Sequence, residues 1–239
     1  MVSGLEAIYV GAADIAGGKV GTLRNPDNRK RYEKAYREDL KRYGGELTLE
    51  KANRKLHSLR KLGGELSRRW RVGGTHRPIS KDRALRIKPL LLPPAELELD
   101  ATIDNPIELG QIAEVLHGEK LPTLRLWIHY KHYVIGVVPD GVADSYVYEF
   151  KATTQSGRDA DEVRDQAIRQ AQLYAYAFKR PNIKVQVAQF QLLKDAFPVK
   201  VRDLPKPEIV TISKPASDDE ALEVLKDFDR DFCGLQEEN

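Results

Sequence analysis

Asp140, Glu149 and Lys151 are the residues whose types and spacing best suit chemistry. Asp140 follows Pro139, eight residues intervene, and Glu149-Phe150-Lys151 follows. The runs Ile135–Val138 and Val142–Tyr148 flank a Gly-containing bend, which predicts two adjacent strands of a hairpin. Pairing them would bring Asp140 and Glu149 to one edge of a sheet. Two carboxylates there suit Mg²⁺ or Mn²⁺, hard cations that prefer oxygen ligands. Strand alternation points Lys151 to the same face as Glu149. A metal that generates hydroxide and polarises a phosphate, beside an ammonium that stabilises developing charge, is suited to phosphodiester hydrolysis. An acid-any-Lys tripeptide is common by chance in a chain with 31% charged residues. Pro-Asp-Gly is an ordinary turn signal. Order, spacing and strand context together carry the reading.

Other elements must hold these residues. Asp104-Asn105-Pro106 starts a helix that runs to His117, with Gly118 as its stop. Leu124–His132 reads as a strand with Leu124, Leu126, Ile128 and Tyr130 on one face. Tyr133–Val138 and Tyr146–Phe150 read as the next two strands. A polar loop over 154–159 precedes a long helix from Ala160 to Arg180, stopped by Pro181. Ile183–Leu193 alternates as a strand. Phe197–Val201 and Glu208–Ile212 are short strands among Pro-rich turns, and Ser217 opens a final amphipathic helix to Phe232. The core order is α-β-β-β-α-β.

The first third is different. Residues 1–77 carry 18 Lys and Arg against 9 Asp and Glu, while the remainder carries 21 against 27. A basic third on a mildly acidic body points to a polyanion bound mainly by one region. Residues 1–23 are Gly- and Ala-rich and show no assignable element. Pro26 and Asp27 suit a first helical turn, and Gly44-Gly45 a stop. Thr48 caps a second helix, ended by Gly63-Gly64. Tyr32, Tyr36 and Tyr43 interleave with the basic residues. They are either core residues or platforms for stacking on bases. Residues 72–95 read as a Gly- and Pro-rich connector, which divides the chain into a basic helical appendage, 1–95, and a core, 96–239.

With 239 residues and 41% hydrophobic content the chain can bury a real core. No apolar run approaches the ~20 residues that span a bilayer, and no secretory signal is visible, so no membrane partner and a cytoplasmic location are expected. The single Cys233 excludes a four-cysteine zinc or iron–sulfur site within one chain.

The element order and four segments resemble the PD-(D/E)XK nuclease superfamily. Gly110-Gln111-Ile112-Ala113-Glu114 is similar to its first helix, which implies Glu114 as a metal ligand, with His117 an alternative one turn on. Asp140 and Glu149 resemble the two central ligands, and Lys151 the catalytic lysine. Gln170-Ala171-Gln172-Leu173-Tyr174-Ala175-Tyr176 resembles the Gln-x3-Tyr signature of the RecB-like branch, related CRISPR-associated exonucleases and archaeal viral nucleases. The Leu-Tyr-Ala ending selects Gln170 with Tyr174 over Gln172 with Tyr176. The likeness covers about residues 104–194. The chain departs from many CRISPR-associated relatives in lacking iron–sulfur cysteines. Its Gly136-to-Asp140 spacing is one residue longer than the common pattern, which implies a bulged loop.

The resemblance implies a restriction-endonuclease-like α/β core with a central mixed sheet flanked by helices, beside the basic helical appendage. It implies a deoxyribonuclease that uses Mg²⁺ or Mn²⁺, without an iron–sulfur cluster. Glu114, Asp140, Glu149 and the carbonyl of Phe150 would bind metal, Lys151 would assist deprotonation of the attacking water, and Gln170 and Tyr174 would orient the lysine and the scissile strand. DNA would be gripped by basic residues of about 24–71. The RecB-like signature favours exonuclease action on DNA ends. The alternatives are a catalytically weak nucleic-acid-binding protein on the same fold, or a structure-specific endonuclease.

Overall fold

A computed structural model describes residues 7–19, 25–72, 100–154, 160–192 and 196–237. The architecture is mixed α/β, with sheets flanked by helices. β1 (Ile8–Gly11) and the short α1 (Ala12–Ala16) come first, followed by α2 (Pro26–Tyr43) and α3 (Leu49–Val72). β2 (Thr102–Ile103), α4 (Pro106–His117), β3 (Leu126–Tyr130), β4 (Tyr133–Val137), β5 (Gly141–Val142) and β6 (Tyr146–Thr154) follow. α5 (Ala160–Phe178), β7 (Asn182–Phe190), β8 (Val199–Lys200), β9 (Glu208–Pro215) and α6 (Asp218–Glu237) complete the chain.

The expected order is present, with β5 added and the central sheet divided. One sheet runs β1-β4-β3, another β5-β6-β7-β9, and β2 pairs with β8. β6 and β7 are parallel over nine positions, joined by α5 as a crossover helix. β9 returns antiparallel to β7.

The helix boundaries follow local chemistry. Asn105 accepts hydrogen bonds from the main-chain N–H groups of Ile107 and Glu108 at 3.0 Å, and Pro106 follows as the first helical residue. Asn25 caps α2 through the N–H of Asp27 at 2.9 Å, and Gly44 ends it in the left-handed conformation at φ 64°. Ser217 accepts from the N–H of Glu220 at 3.2 Å to start α6.

Three sequence expectations need correction. The second basic helix does not stop at Gly63-Gly64 but runs to Val72. Glycine costs about 1 kcal/mol in a helix interior, which good helix formers on both sides can outweigh. The strand before Asp140 does not pair with the strand carrying Glu149. Pro139 interrupts the run, and β5 makes the hairpin with β6 while β4 joins β1 and β3. Phe197–Val201 is extended only at Val199–Lys200, and Val201–Asp203 forms a 3-10 turn. Most of the expected connector, and the loop residues 155–159, lie outside the described residues.

Two apolar clusters fill the space on the two faces of β6 and β7. On one face, Val147, Val185 and Val187 meet Leu173 and Phe178 of α5 and Phe228 of α6. On the other, Tyr148, Phe150 and Phe190 meet Leu109 and Ile112 of α4. Burial of each large side chain contributes roughly 1.5–3 kcal/mol relative to exposure.

The segment over 1–23, expected to form no assignable element, contributes a strand and a short helix. β1 pairs parallel with β4, from Ile8 opposite Tyr133 to Gly11 opposite Gly136. Ile15 and Ala16 of α1 are buried in the main core. Asp39 of α2, only 4% exposed, accepts from Trp127 Nε1 at 3.0 Å and from Arg125 at 3.1 Å. Arg60 of α3 donates to the carbonyl of Val142 at 3.0 Å and pairs with Asp144 at 2.6 Å.

Candidate active site

The β5–β6 ladder sets the geometry. Gly141 lies opposite Tyr148, so Asp140, one step before β5, falls beside Glu149 and Phe150. Asp140 Oδ2 accepts from the main-chain N–H of Phe150 at 2.7 Å. Gly141 permits this approach: a Cβ there would sit 2.5 Å from the Cβ of Leu121.

Alternation along β6 places Tyr148 and Phe150 against α4 and turns Glu149 and Lys151 towards α5. Glu149 is 1% exposed. Lys151 donates to its Oε1. Its Oε2 is buried with no hydrogen-bond partner. Burial first, and then the neighbouring charge of Asp140, push the Glu149 carboxyl well above the usual carboxylate range, against the pull of Lys151. Burial alone would lower Lys151, but Glu149, Asp140 and Glu114 outweigh it and hold the ammonium above its ordinary value.

Glu114 projects from α4 and is half-buried. Its charge acts on both Lys151 and Tyr148, which puts it at the rim of the cluster. His117 packs near Phe190, with ring centroids 6.2 Å apart. His129 pairs with Glu46 at 3.2 Å, and the His132 ring lies tilted against Tyr133 with centroids 4.0 Å apart.

α5 supplies the opposite wall. Gln170 donates to the hydroxyl of Tyr174, and both are buried. Burial first and Glu149 next raise the Tyr174 phenol, so it faces the carboxylates as a neutral hydroxyl. The second Gln-x3-Tyr does different work. Gln172 donates to Glu220 at 2.9 Å and accepts from the N–H of Ser217 at 2.9 Å, tying α5 to α6. The Lys179 ammonium covers Tyr176 at 4.0 Å.

A cleft of about 490 Å³ opens beside the cluster, lined by Lys151, Gln170, Gln166, Thr153 and Lys19 among others. Lys19 and its neighbours come from the segment to which sequence reasoning gave no element. Tyr32 lies over Gly11 and donates to Asp14 at 2.6 Å. Burial and then Asp14 raise its phenol to about 12, so it stays a neutral hydroxyl. No sequence pattern announced this: β1 spans four residues and its partner strand is more than a hundred residues away.

The basic face is exposed at Lys30, Arg31, Lys34, Lys41, Arg54 and Lys55. The interleaved tyrosines are occupied by packing. Tyr36 meets Trp127 edge-on at 5.2 Å and Tyr9 at 5.4 Å, and Tyr43 packs on the core under Lys55.

The donor set can be tested for a divalent cation. Asp140 and Glu149 converge, Glu114 is near, and the partnerless Glu149 oxygen is what a hard cation would satisfy. Among the described residues, no group of three or more His, Cys, Asp or Glu side chains is placed to hold a metal ion.

No protein-family model matches the chain, and no curated protein matches it. Among solved structures, an alkaline exonuclease from Laribacter hongkongensis aligns with a TM-score of 0.34 and 12% identity, over 73% of this chain and 93% of that one. No helix of the described residues is long and apolar enough to cross a membrane.

Proposed function

We propose that this protein is a metal-dependent deoxyribonuclease, with Asp140, Glu149 and Lys151 at its centre. The observation that carries the reading is the buried, partnerless Oε2 of Glu149, set beside Asp140 and held by Lys151. A buried carboxylate oxygen costs about 1–3 kcal/mol unsatisfied, and a cation shared with the adjacent Asp140 would satisfy it. Asp140, Glu149, Glu114 and the carbonyl of Phe150 would hold Mg²⁺ or Mn²⁺. Such a cation supplies Lewis-acid polarisation of a phosphoryl oxygen and neutralises charge.

The protein's own groups do the rest. Asp140, fixed by the Phe150 N–H, keeps its carboxylate oriented. Lys151, which donates to Glu149, is placed to donate to the phosphate and stabilise developing negative charge. The Tyr174 hydroxyl and the Gln170 amide position Lys151 and the scissile phosphate. The exposed cations of α2 and α3 contact flanking phosphates without reading sequence. The RecB-like signature at Gln170 and Tyr174 supports attack at DNA ends.

The test is cleavage of end-labelled linear and closed circular DNA with Mn²⁺, Mg²⁺ or EDTA, with Lys151→Ala in parallel. Metal-dependent loss of linear DNA, abolished in the variant, is the expected result. Cutting of circles would make the enzyme an endonuclease. Undiminished cleavage by Lys151→Ala would overturn the site.

A second reading has one observation in its favour: the absence, among the described residues, of three converging metal-binding side chains. On that reading the protein binds nucleic acid without efficient cleavage. Calorimetric titration separates the two, because a degenerate site takes up no Mn²⁺.

A further inference from the structure

We propose that β9 is a self-complementary edge through which two copies of this chain pair. Among the described residues β9 is the last strand of the order β5-β6-β7-β9, and its one partner is β7. The register with β7 is unbroken from Glu208 to Pro215, with no bulge to twist the edge away. Every residue of the strand is exposed or half-buried. Ile209 and Val210 are 40% and 38% exposed, two adjacent positions among the few large apolar side chains left in water. Edge strands are ordinarily guarded by proline, by an inward charge or by a bulge. In β9 the sole proline is the final residue, Pro215, and the charges that could guard the edge, Glu208 and Lys214, share the face of Val210 and Ile212.

The strand reads Glu-Ile-Val-Thr-Ile-Ser-Lys-Pro. An antiparallel pair centred on Thr211 sets Glu208 of each copy against Lys214 of the other. The same register sets Val210 against Ile212, and Ile209 against Ser213. Both charge contacts are attractive and both apolar contacts fall on one face. Directly opposed pairs of this kind are what stabilise a sheet register. Val210 and Ile212 lie opposite Val187 and Val185 of β7, on the face packed against α5. The pairing therefore extends an apolar surface that already exists, and Ile212 is already packed against that core.

Lys214 reaches Glu220 at 2.8 and 3.1 Å. An ammonium has three donors, so one is left for the second copy's Glu208. A lysine alone would repel a second edge. Here the twofold axis through Thr211 turns that charge into a contact. The result is an isologous dimer in which the four-stranded sheet continues into its copy. One strand pair buries less than the roughly 1,200 Å² of standard interfaces, so the dimer forms and dissociates with concentration.

The test is sedimentation velocity of the full chain across a concentration series without DNA. Wild type shifts from monomer to dimer. Glu208→Lys alone and Lys214→Glu alone each put like charges in both contacts, and each raises the dissociation constant ~10-fold or more. An equimolar mixture of the two variants restores the dimer as a heterodimer, because each like-charged edge then meets its opposite. A wild type that stays monomeric throughout, a single variant that dimerises as tightly as wild type, or a mixture that stays monomeric overturns the proposal. Should Lys214→Glu misfold through loss of its Glu220 contact, amide exchange of wild type decides. Protection within 208–214 rises with concentration if β9 pairs, and independence from concentration overturns it.

Discussion

Trp127 donates its indole N–H to Asp39 at 3.0 Å, and this bond joins α2 to β3 across 88 positions of sequence. Arg125 meets the same carboxylate oxygen at 3.1 Å, and Arg42 approaches the other at 3.6 Å. Asp39→Ala would leave a half-buried indole donor and two cations without their acceptor. The expected loss is about 2–3 kcal/mol, read as a lower denaturant midpoint. A loss under ~0.5 kcal/mol would mean that α2 docks by apolar contact alone.

Divalent ions should stabilise the wild type. Mn²⁺ at ~100 times its dissociation constant raises the unfolding free energy by about 2.7 kcal/mol. Glu149→Gln should remove that rise and abolish cleavage. In EDTA the same variant should melt no lower than wild type, because burial and Asp140 already disfavour the Glu149 charge. Calorimetric scans with and without Mn²⁺ check both arms, and a preserved Mn²⁺ effect in the variant would remove Glu149 from the metal site.

The two Gln-x3-Tyr pairs should separate function from stability. Tyr174→Phe keeps the ring but leaves the buried Gln170 amide without its acceptor, and should cut the cleavage rate ~10-fold or more at a stability cost of about 1–2 kcal/mol. Gln172→Ala breaks the buried links to Glu220 and Ser217. It should cost about 2–3 kcal/mol while the folded enzyme cleaves normally. The opposite pattern in a paired rate and denaturation measurement would exchange their roles.

Lys120 gives a pH dependence. It is half-buried and donates to the carbonyl of Val115 at 2.5 Å. Burial lowers its pKa from 10.5 to about 8, partly opposed by Glu114. The folded state thus holds this proton less tightly than the unfolded state. Between about pH 8 and 10.5 the unfolded chain binds more protons at this site, so its contribution to stability rises with pH across that window. Lys120→Met should remove this slope and stabilise the protein at pH 7. Denaturation curves at pH 7 and pH 9 test it, and an unchanged slope in the variant would assign the effect elsewhere.

Gly141 leaves no room for a side chain. Gly141→Ala should push Leu121 aside and shift Asp140 from the Phe150 N–H. Both cleavage and stability should fall, the latter by roughly 1–3 kcal/mol. A crystal structure of the variant with Asp140 undisplaced would show that the site tolerates the strain.

Much of this was legible in the chain because the signals were local. Asn105-Pro106 marked the start of α4, and the 149/151 alternation put Lys151 beside Glu149. The Leu-Tyr-Ala ending picked out Gln170 and Tyr174, which the fold sets beside Glu149, rather than Gln172, which it ties to α6. What was not legible depended on distance in sequence. Nothing near Tyr133–Val137 says that its neighbour is Ile8–Gly11 rather than the strand of Glu149. Nothing near Tyr32 says that its hydroxyl will find Asp14. Gly63-Gly64 misled because a local stop signal is only about a kilocalorie per residue, and the flanking helix formers prevailed.

The parallel pairing of β1 with β4 sets an order of events during synthesis. The partner of Ile8–Gly11 is Tyr133–Gly136, so β1 cannot be paired until β4, more than a hundred residues later, has been synthesised. Its apolar residues wait in water meanwhile. Contacts of such long sequence separation slow folding and prolong exposure to aggregation. A nascent chain that stops short of β4 lacks the strand with which both β1 and β3 pair.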